Sequence, residues 1–323
     1  MIIRDMIKRY STLCCALLAL LVFAMGGAVA QAADAGATTP RLTIKNGCSN
    51  PIWVFHTVGS GGGTLNTSGN PVKLATKGDS VAFNIPDKGL AGTRFWPGYG
   101  CDANGQNCAM GESGGPGLTC PPEGCAPPVD SKFEGTFGCL PSVSSADCQV
   151  NPSSPTGAVL PASDNWDTSM VDGFTLPYTV KVNGTCPGAP KNKKIDCSKI
   201  NISHCPTAGK INGVDTNLVL TDPTTKKTAG CYSPCSKLTM NNWGNSPTSK
   251  PDSDAAKDYC CGGISAADCR AGKGATTEYV KNIHKYCPQT YAYAYDDGTG
   301  LFGCPAAKTT TYEVTFFCPA EDL

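Results

Sequence analysis

The hydrophobic positions of this chain recur mostly in twos. Phe174, Leu176, Tyr178, Val180 and Val182 alternate with polar or small residues, which is the period of a half-buried strand. Tyr312, Val314, Phe316 and Cys318 repeat the pattern near the C-terminus. Residues 42–44 and 52–55, joined by a Cys-Ser-Asn-Pro turn, predict two further strands, and residues 80–85, 93–96 and 132–137 predict three more. Helical periodicity is scarce. Residues 254–259 predict a short helix, and residues 278–287 a second one with Tyr279, Ile283, Tyr286 and Cys287 on one face. Tyr291, Tyr293 and Tyr295 alternate with Ala292 and Ala294. That reads as a core-facing strand, with a sugar-stacking aromatic face as the alternative. Short strands between turn clusters argue for a mostly β fold built on a sandwich.

The segments between the strands have a different composition. Residues 97–131 are rich in Gly, Pro and Cys and too poor in large apolar side chains to form a core of their own, so they predict a loop lobe. Residues 139–164 are Ser- and Pro-rich and predict a surface excursion, while 186–287 is a cysteine-dense region.

At the N-terminus, Arg4, Lys8 and Arg9 precede an apolar run over 13–23 and an Ala28-Val29-Ala30 exit. Basic head, apolar middle and small-residue exit predict a signal peptide over 1–30 and hence secretion, extracellular or periplasmic according to the host. An uncleaved anchor helix fits the small-residue exit less well. Residues 31–40 read as a flexible lead-in. With the leader gone, 23 basic residues face 25 acidic ones, a net charge near −2. No basic field invites nucleic acid, no membrane span is expected in the mature chain, and a monomer without cofactor is the expected form.

Cys14 and Cys15 leave with the leader, so eighteen of the twenty cysteines remain. An even number in an exported chain predicts a disulfide framework. A zinc site at Cys231, Cys235, Cys260 and Cys261 is the weaker alternative, because His56, His204 and His284 are scattered without paired spacing. Each histidine reads as an ordinary surface or core residue.

The stretch richest in candidate chemistry is Trp166-Asp167-Thr168-Ser169-Met170-Val171-Asp172-Gly173-Phe174. Two carboxylates five residues apart flank an apolar pair, and an Asp-Gly turn then leads into the alternating run. Asp172 is thereby held at the edge of a sheet, where it either caps the turn, as Asp before Gly commonly does, or faces a cleft.

This stretch, through Pro177, closely resembles the thaumatin-like family, and the cysteine order from Cys186 to Cys318 strengthens the likeness. The resemblance covers essentially all of 41–318. It implies a thaumatin-like domain over 41–323, with a sandwich core of about 41–100, 132–185 and 288–318. A small loop lobe would cover about 101–131, and a cysteine-rich lobe with a short helix about 186–287. It further implies the pairs Cys48–Cys318, Cys101–Cys108, Cys186–Cys304, Cys197–Cys287, Cys205–Cys231, Cys235–Cys260 and Cys261–Cys269. Where the family has Thr-Gly-Asp-Cys-Gly-Gly, this chain has Met110-Gly111-Glu112-Ser113-Gly114-Gly115. One family cysteine is lost there, and Cys120–Cys125 is expected to pair locally instead. Cys139–Cys148 is expected to staple an inserted loop. Closing the 270-residue loop between Cys48 and Cys318 is worth about 5–6 kcal/mol in the chain-entropy model.

The resemblance also implies a cleft of one Arg, one Glu and three Asp. Residue by residue these are Arg94, Glu134, Asp167, Asp172 and Asp296, with Asp297 as the alternative for the last. Glu134 carries over only after a one-residue shift. Implied activities are β-1,3-glucan binding, weak endo-β-1,3-glucanase activity and antifungal or membrane-permeabilising effects. A disulfide-stabilised inhibitor with an incidental cleft is a third reading. For hydrolysis, the expected general acid is Glu134, raised by partial burial, and the expected nucleophile or base is Asp172. For binding, Arg94, Asp167 and Asp296 would contact polysaccharide, and Asp167→Ala or Asp172→Ala would weaken retention while leaving the fold intact.

Overall fold

Strand β1 (Leu42–Asn46) buries Leu42, Ile44 and Asn46 and half-exposes Thr43 and Lys45. In the computed structural model it runs parallel to the last strand, so the first and last described strands share one sheet. The described residues are 40–319, except 60–62, 66–68, 112–128, 152–155, 158, 212–213, 216, 224 and 241–248. The predicted leader and the Cys120–Cys125 pair lie outside them.

Two sheets form the core. The five-stranded sheet has the order β10-β9-β16-β1-β4, with β4 (Ser80–Phe83), β9 (Tyr178–Asn183), β10 (Lys194–Asp196) and β16 (Thr311–Phe316). The six-stranded sheet has the order β15-β7-β6-β5-β2-β3. Its members are β2 (Ile52–Thr57), β3 (Val72–Leu74), β5 (Leu90–Tyr99), β6 (Lys132–Phe137), β7 (Ser163–Ser169) and β15 (Phe302–Pro305). Strand alternation turns Phe95, Phe133, Phe137 and Trp166 of the second sheet inward, where they meet Phe83 and Tyr312 of the first. Ring centroids are 4.9 Å apart for Phe83–Phe95, 5.8 Å for Phe133–Tyr312 and 5.3 Å for Trp166–Tyr312. Each fully buried large side chain contributes about 1.5–3 kcal/mol, and these rings are the centre of that stabilisation. The same alternation turns Arg94, Glu134 and Asp167 to the opposite face of the six-stranded sheet.

Two polar features sit inside this apolar layer. The Arg41 guanidinium pairs with the Asp164 carboxylate, which also accepts hydrogen bonds from the Tyr312 hydroxyl at 2.7 Å and the Gly138 amide at 3.1 Å. This cluster joins β7 of one sheet to β16 of the other. His56, on β2, lies between Phe83 and Phe95 with its Nδ1 unpartnered.

The remaining elements are two small sheets and short helices. β8 (Gly173–Phe174), β13 (Val219–Thr221) and β14 (Thr228–Tyr232) make a three-stranded sheet in the order β13-β14-β8, and β11 (Lys210–Ile211) pairs with β12 (Val214–Asp215). The helices are short: α1 (Pro234–Thr239), α2 (Lys257–Cys260), α3 (Ala266–Ala271), α4 (Glu278–Tyr286) and α5 (Asp297–Gly300). Eight disulfides join the described residues. They are Cys48–Cys318, Cys101–Cys108, Cys139–Cys148 and Cys186–Cys304, with Cys197–Cys287, Cys205–Cys231, Cys235–Cys260 and Cys261–Cys269.

Four expectations need correction. The run after Gly173 is not one strand. Gly173 and Phe174 pair with β14, residues 174–177 are all buried, and alternation starts only at Tyr178. Pro177 has no amide hydrogen to extend a ladder, so the chain changes sheets there. The surface excursion ends earlier than expected, because Ser163–Ser169 is a central strand. Residues 290–295 form no strand. Ala292 is buried, Tyr291 and Tyr293 are only partly so, and Tyr295 is 41% exposed with φ 63°. A left-handed residue cannot continue a period-two strand. Finally, α1, α3 and the single-turn α5 were not anticipated. α1 and α3 have a serine N-cap, Ser233 accepting from the Ser236 amide and Ser265 from the Asp268 amide, a local signal too short to register as periodicity.

Candidate functional site

Register across the six-stranded sheet places Arg94 opposite Glu134 and Glu134 opposite Asp167. One row of side chains therefore crosses β5, β6 and β7 on the face turned away from the sandwich core. The Arg94 Nε donates to Glu134 Oε1 at 2.6 Å. Two residues along β6, Lys132 stands opposite Ser169 on the same face. Its ammonium pairs with the Asp172 carboxylate.

Asp172 is held by the turn Met170–Gly173, closed by the Gly173 amide donating to the Met170 carbonyl at 3.2 Å. Gly173 has φ 138°, and a Cβ there would lie 2.2 Å from the Cys231 carbonyl oxygen, so only glycine fits. The turn is pinned from outside. The Ser233 amide donates to the Asp172 carbonyl at 3.2 Å, and the Tyr279 hydroxyl of α4 donates to the Met170 carbonyl at 2.5 Å. The cysteine-dense segment thus fixes where this carboxylate stands.

The opposite wall is built by residues 290–294. The Tyr291 amide donates to the Thr168 carbonyl at 2.9 Å, and the Met170 amide donates to the Tyr291 carbonyl at 2.8 Å. The phenol of Tyr291 donates to Asp297 Oδ1 at 2.6 Å, and Arg270 approaches the same carboxylate at 3.4 Å. The result is an open cleft of about 320 Å³ whose polar lining is Arg94, Lys132, Glu134, Asp167, Ser169 and Asp172, completed by Val171, Tyr291 and Ala294.

Four of the five expected cleft residues, Arg94, Glu134, Asp167 and Asp172, come together here. Asp296 does not line the cleft. It is buried, accepting from the Ala292 amide at 3.0 Å and sharing a 2.7 Å hydrogen bond with His284 Nε2, and so holds the 290–296 segment in shape. Asp297 reaches the cleft only through Tyr291. Lys132 was missed. Its position two residues before Glu134 in an alternating strand puts it on the right face, but nothing in the strand pattern says that the side chain would be covered.

The cleft groups differ in how well they are satisfied. Among the described residues the Asp167 carboxyl has no hydrogen-bond or ion-pair partner. Burial, aided by the neighbouring Glu134 carboxylate, pushes it well above the usual carboxylate range, against the pull of Lys132 and Arg94. For Lys132, burial favours the neutral amine, but Asp172, Glu134 and Asp130 together outweigh it and raise its pKa. Beneath Lys132, Asp130 is 1% exposed, and neither carboxyl oxygen has a hydrogen-bond partner. Burial holds this carboxyl well above its ordinary value too. Among the described residues no group of His, Cys, Asp or Glu is arranged to hold a metal ion. No described helix is long and apolar enough to cross a membrane. A separate cavity of about 260 Å³, lined by Ile211, Leu218, Pro234 and Tyr259 among others, is chiefly apolar and gathers no pair of carboxylates.

The Thaumatin family model matches residues 46–319. Thaumatin-like protein 1 of Pyrus pyrifolia is 29% identical, over 88% of this chain and 93% of its own length. Pathogenesis-related thaumatin-like protein 3.2 of Cryptomeria japonica is 27% identical, over 84% of this chain and 86% of its own. Zeamatin of Zea mays is 27% identical, over 86% and 90% respectively. Among solved structures, the thaumatin-like xylanase inhibitor aligns with 86% of this chain and 99% of its own at 14% identity, with a TM-score of 0.32. The family model spans most of the chain, and relatives match along 84–88% of it: this protein belongs to the thaumatin family.

Proposed function

We propose that the protein is exported and binds a β-1,3-glucan-type polysaccharide in this cleft, in a defensive or competitive role. The observation that carries the reading is the Arg94–Glu134–Asp167 row facing the Lys132–Asp172 pair across an open cleft. Carboxylates accept hydrogen bonds from sugar hydroxyls, and the cations donate to them. Tyr291 supplies an aromatic wall of the kind that covers a sugar ring. Eight disulfides among the described residues suit an oxidising compartment, and the basic, apolar and small-residue sequence of 1–30 suits export.

Retention of the mature protein on insoluble β-1,3-glucan tests the reading. Specific retention, competed by soluble laminarin, is the expected result; the same recovery on glucan as on an inert matrix would overturn it.

A hydrolytic reading gains support from one observation. Asp167, a carboxyl without a hydrogen-bond or ion-pair partner among the described residues, stands directly opposite Glu134 on the neighbouring strand. Burial together with the Glu134 carboxylate raises its pKa well above the usual carboxylate range. Glycoside hydrolysis needs such an acid beside a second carboxylate. In this reading the general acid is Asp167 and not Glu134, whose carboxylate is engaged by Arg94. Release of reducing ends from laminarin separates cleavage from binding alone.

A further inference from the structure

The cleft implied by the family resemblance is acidic, with a single Arg among its carboxylates. The cleft of this protein is composed differently. Arg94 is committed to Glu134 and Lys132 to Asp172, which leaves Asp167 as the one lining carboxyl without a partner among the described residues. The two cations differ in kind. The Arg94 side chain is 48% exposed, whereas that of Lys132 is 2% exposed, so its ammonium is covered and held against Asp172 in the cleft lining.

We infer that Lys132 makes this a charge-compensated cleft, selecting uncharged, hydroxyl-rich polysaccharide over cationic amino-sugar polymers and over anionic uronate polymers. The inference rests on the polysaccharide-binding reading and names the ligand class of that same site.

The reason is the balance of donors and acceptors. A sugar hydroxyl both donates and accepts, so it is served at once by the carboxylates of Glu134 and Asp172 and by the N–H groups of Lys132 and Arg94. An ammonium only donates. It would find Glu134 and Asp172 already neutralised, with the Lys132 charge beside it. A uronate carboxylate only accepts, and would find Arg94 and Lys132 already paired with Glu134 and Asp172. The other acids around the floor do not restore a negative field. Burial keeps Asp167 and Asp130 toward their neutral forms, and Asp297, on the far wall, is taken up by Tyr291 and Arg270. In its neutral form Asp167 adds a further donor, again suited to a hydroxyl or ether oxygen.

The test measures retention of the mature protein on insoluble β-1,3-glucan, on chitosan at a mildly acidic pH where its amines are charged, and on polygalacturonate, each at low and physiological salt. The wild type should be held on the neutral glucan with little salt dependence, and at least tenfold less on either charged polymer. Lys132→Met, with folding checked by near-ultraviolet circular dichroism, should gain salt-sensitive retention on chitosan, on the order of tenfold, the worth of one unit charge near a protein surface. If that variant does not fold, the wild-type ratio between matrices decides alone. Equal low-salt retention of the wild type on chitosan and neutral glucan would overturn the inference while leaving polysaccharide binding in place. Retention on none of the three would overturn both.

Discussion

Lys132 and Asp172 stand 40 residues apart in sequence and form an ion pair that joins strand β6 to the turn ahead of β8. The pairing is lopsided: the Lys132 side chain is 2% exposed and that of Asp172 is 29% exposed. Among the described residues the carboxylate is therefore the one ion-pair partner of a lysine whose side chain is almost wholly covered, with Glu134 and Asp130 adding to the favourable field. A residue expected to serve the ligand alone also serves the fold.

Asp172→Ala should accordingly destabilise the protein as well as weaken binding. Removing one partner strands the buried ammonium. The cost should be about 3 kcal/mol, at the low end for a buried pair because Asp172 is partly solvated. Urea unfolding of Asp172→Ala against Asp172→Asn and wild type checks this. A variant as stable as wild type would mean that Lys132 finds another partner.

Glu134→Ala should behave in the opposite way. Its partner Arg94 is half in solvent, and such exposed pairs contribute about 0–1 kcal/mol. Stability should be nearly unchanged. Glucan retention should drop by the loss of one charge-assisted hydrogen bond, about 1.5–3 kcal/mol. Measured affinity and midpoint together separate this residue from Asp172.

Asp167 is the discriminating residue for catalysis. If laminarin is cleaved, Asp167→Asn should lower turnover by about 10²–10⁴-fold, the range for losing a general acid, while leaving glucan retention largely in place because the amide can still donate. Full turnover in Asp167→Asn, with loss in Glu134→Gln, would return the acid role to Glu134.

Acid should weaken the fold through His56. Burial lowers this imidazole from 6.5 to about 4, so the unfolded chain takes up the proton first as pH falls. The stabilising contribution is complete above the unfolded value and is lost progressively between about pH 6.5 and 4, amounting to roughly 3 kcal/mol. His56→Gln should be less stable at neutral pH and should show a flatter loss over that window. Parallel curves for wild type and variant would place the acid sensitivity elsewhere.

Thiol labelling of unreduced, denatured mature protein should give no signal, because eighteen cysteines in an exported chain are expected to form nine bridges. Labelling at Cys120 or Cys125 would rule out the local bridge proposed for that pair.

The alternation of apolar and polar residues determined β1, β2, β4, β5, β6, β9 and β16 by itself. It put Phe95, Phe133 and Tyr312 on core-facing sides, and Arg94, Glu134 and Lys132 on the other side of their strands, because side chains of period two can only lie on one face or the other. Asp167 and Asp172, five residues apart, marked the site. What alternation does not encode is what covers the outer face. Lys132 and Arg94 share that face and are equivalent by pattern, yet one is buried and the other open, since only the first lies under the turn at Asp172. Asp296 and Asp297 are neighbours in sequence, and the fold alone decided that the first is spent on His284 and the Ala292 amide. The same holds for the tyrosines of 291–295, which alternate like a strand but are bent out of one by the contacts of their neighbours. Period and spacing are local properties carried by the chain; burial and charge pairing are made by segments far apart in sequence, and only the tertiary structure brings those together.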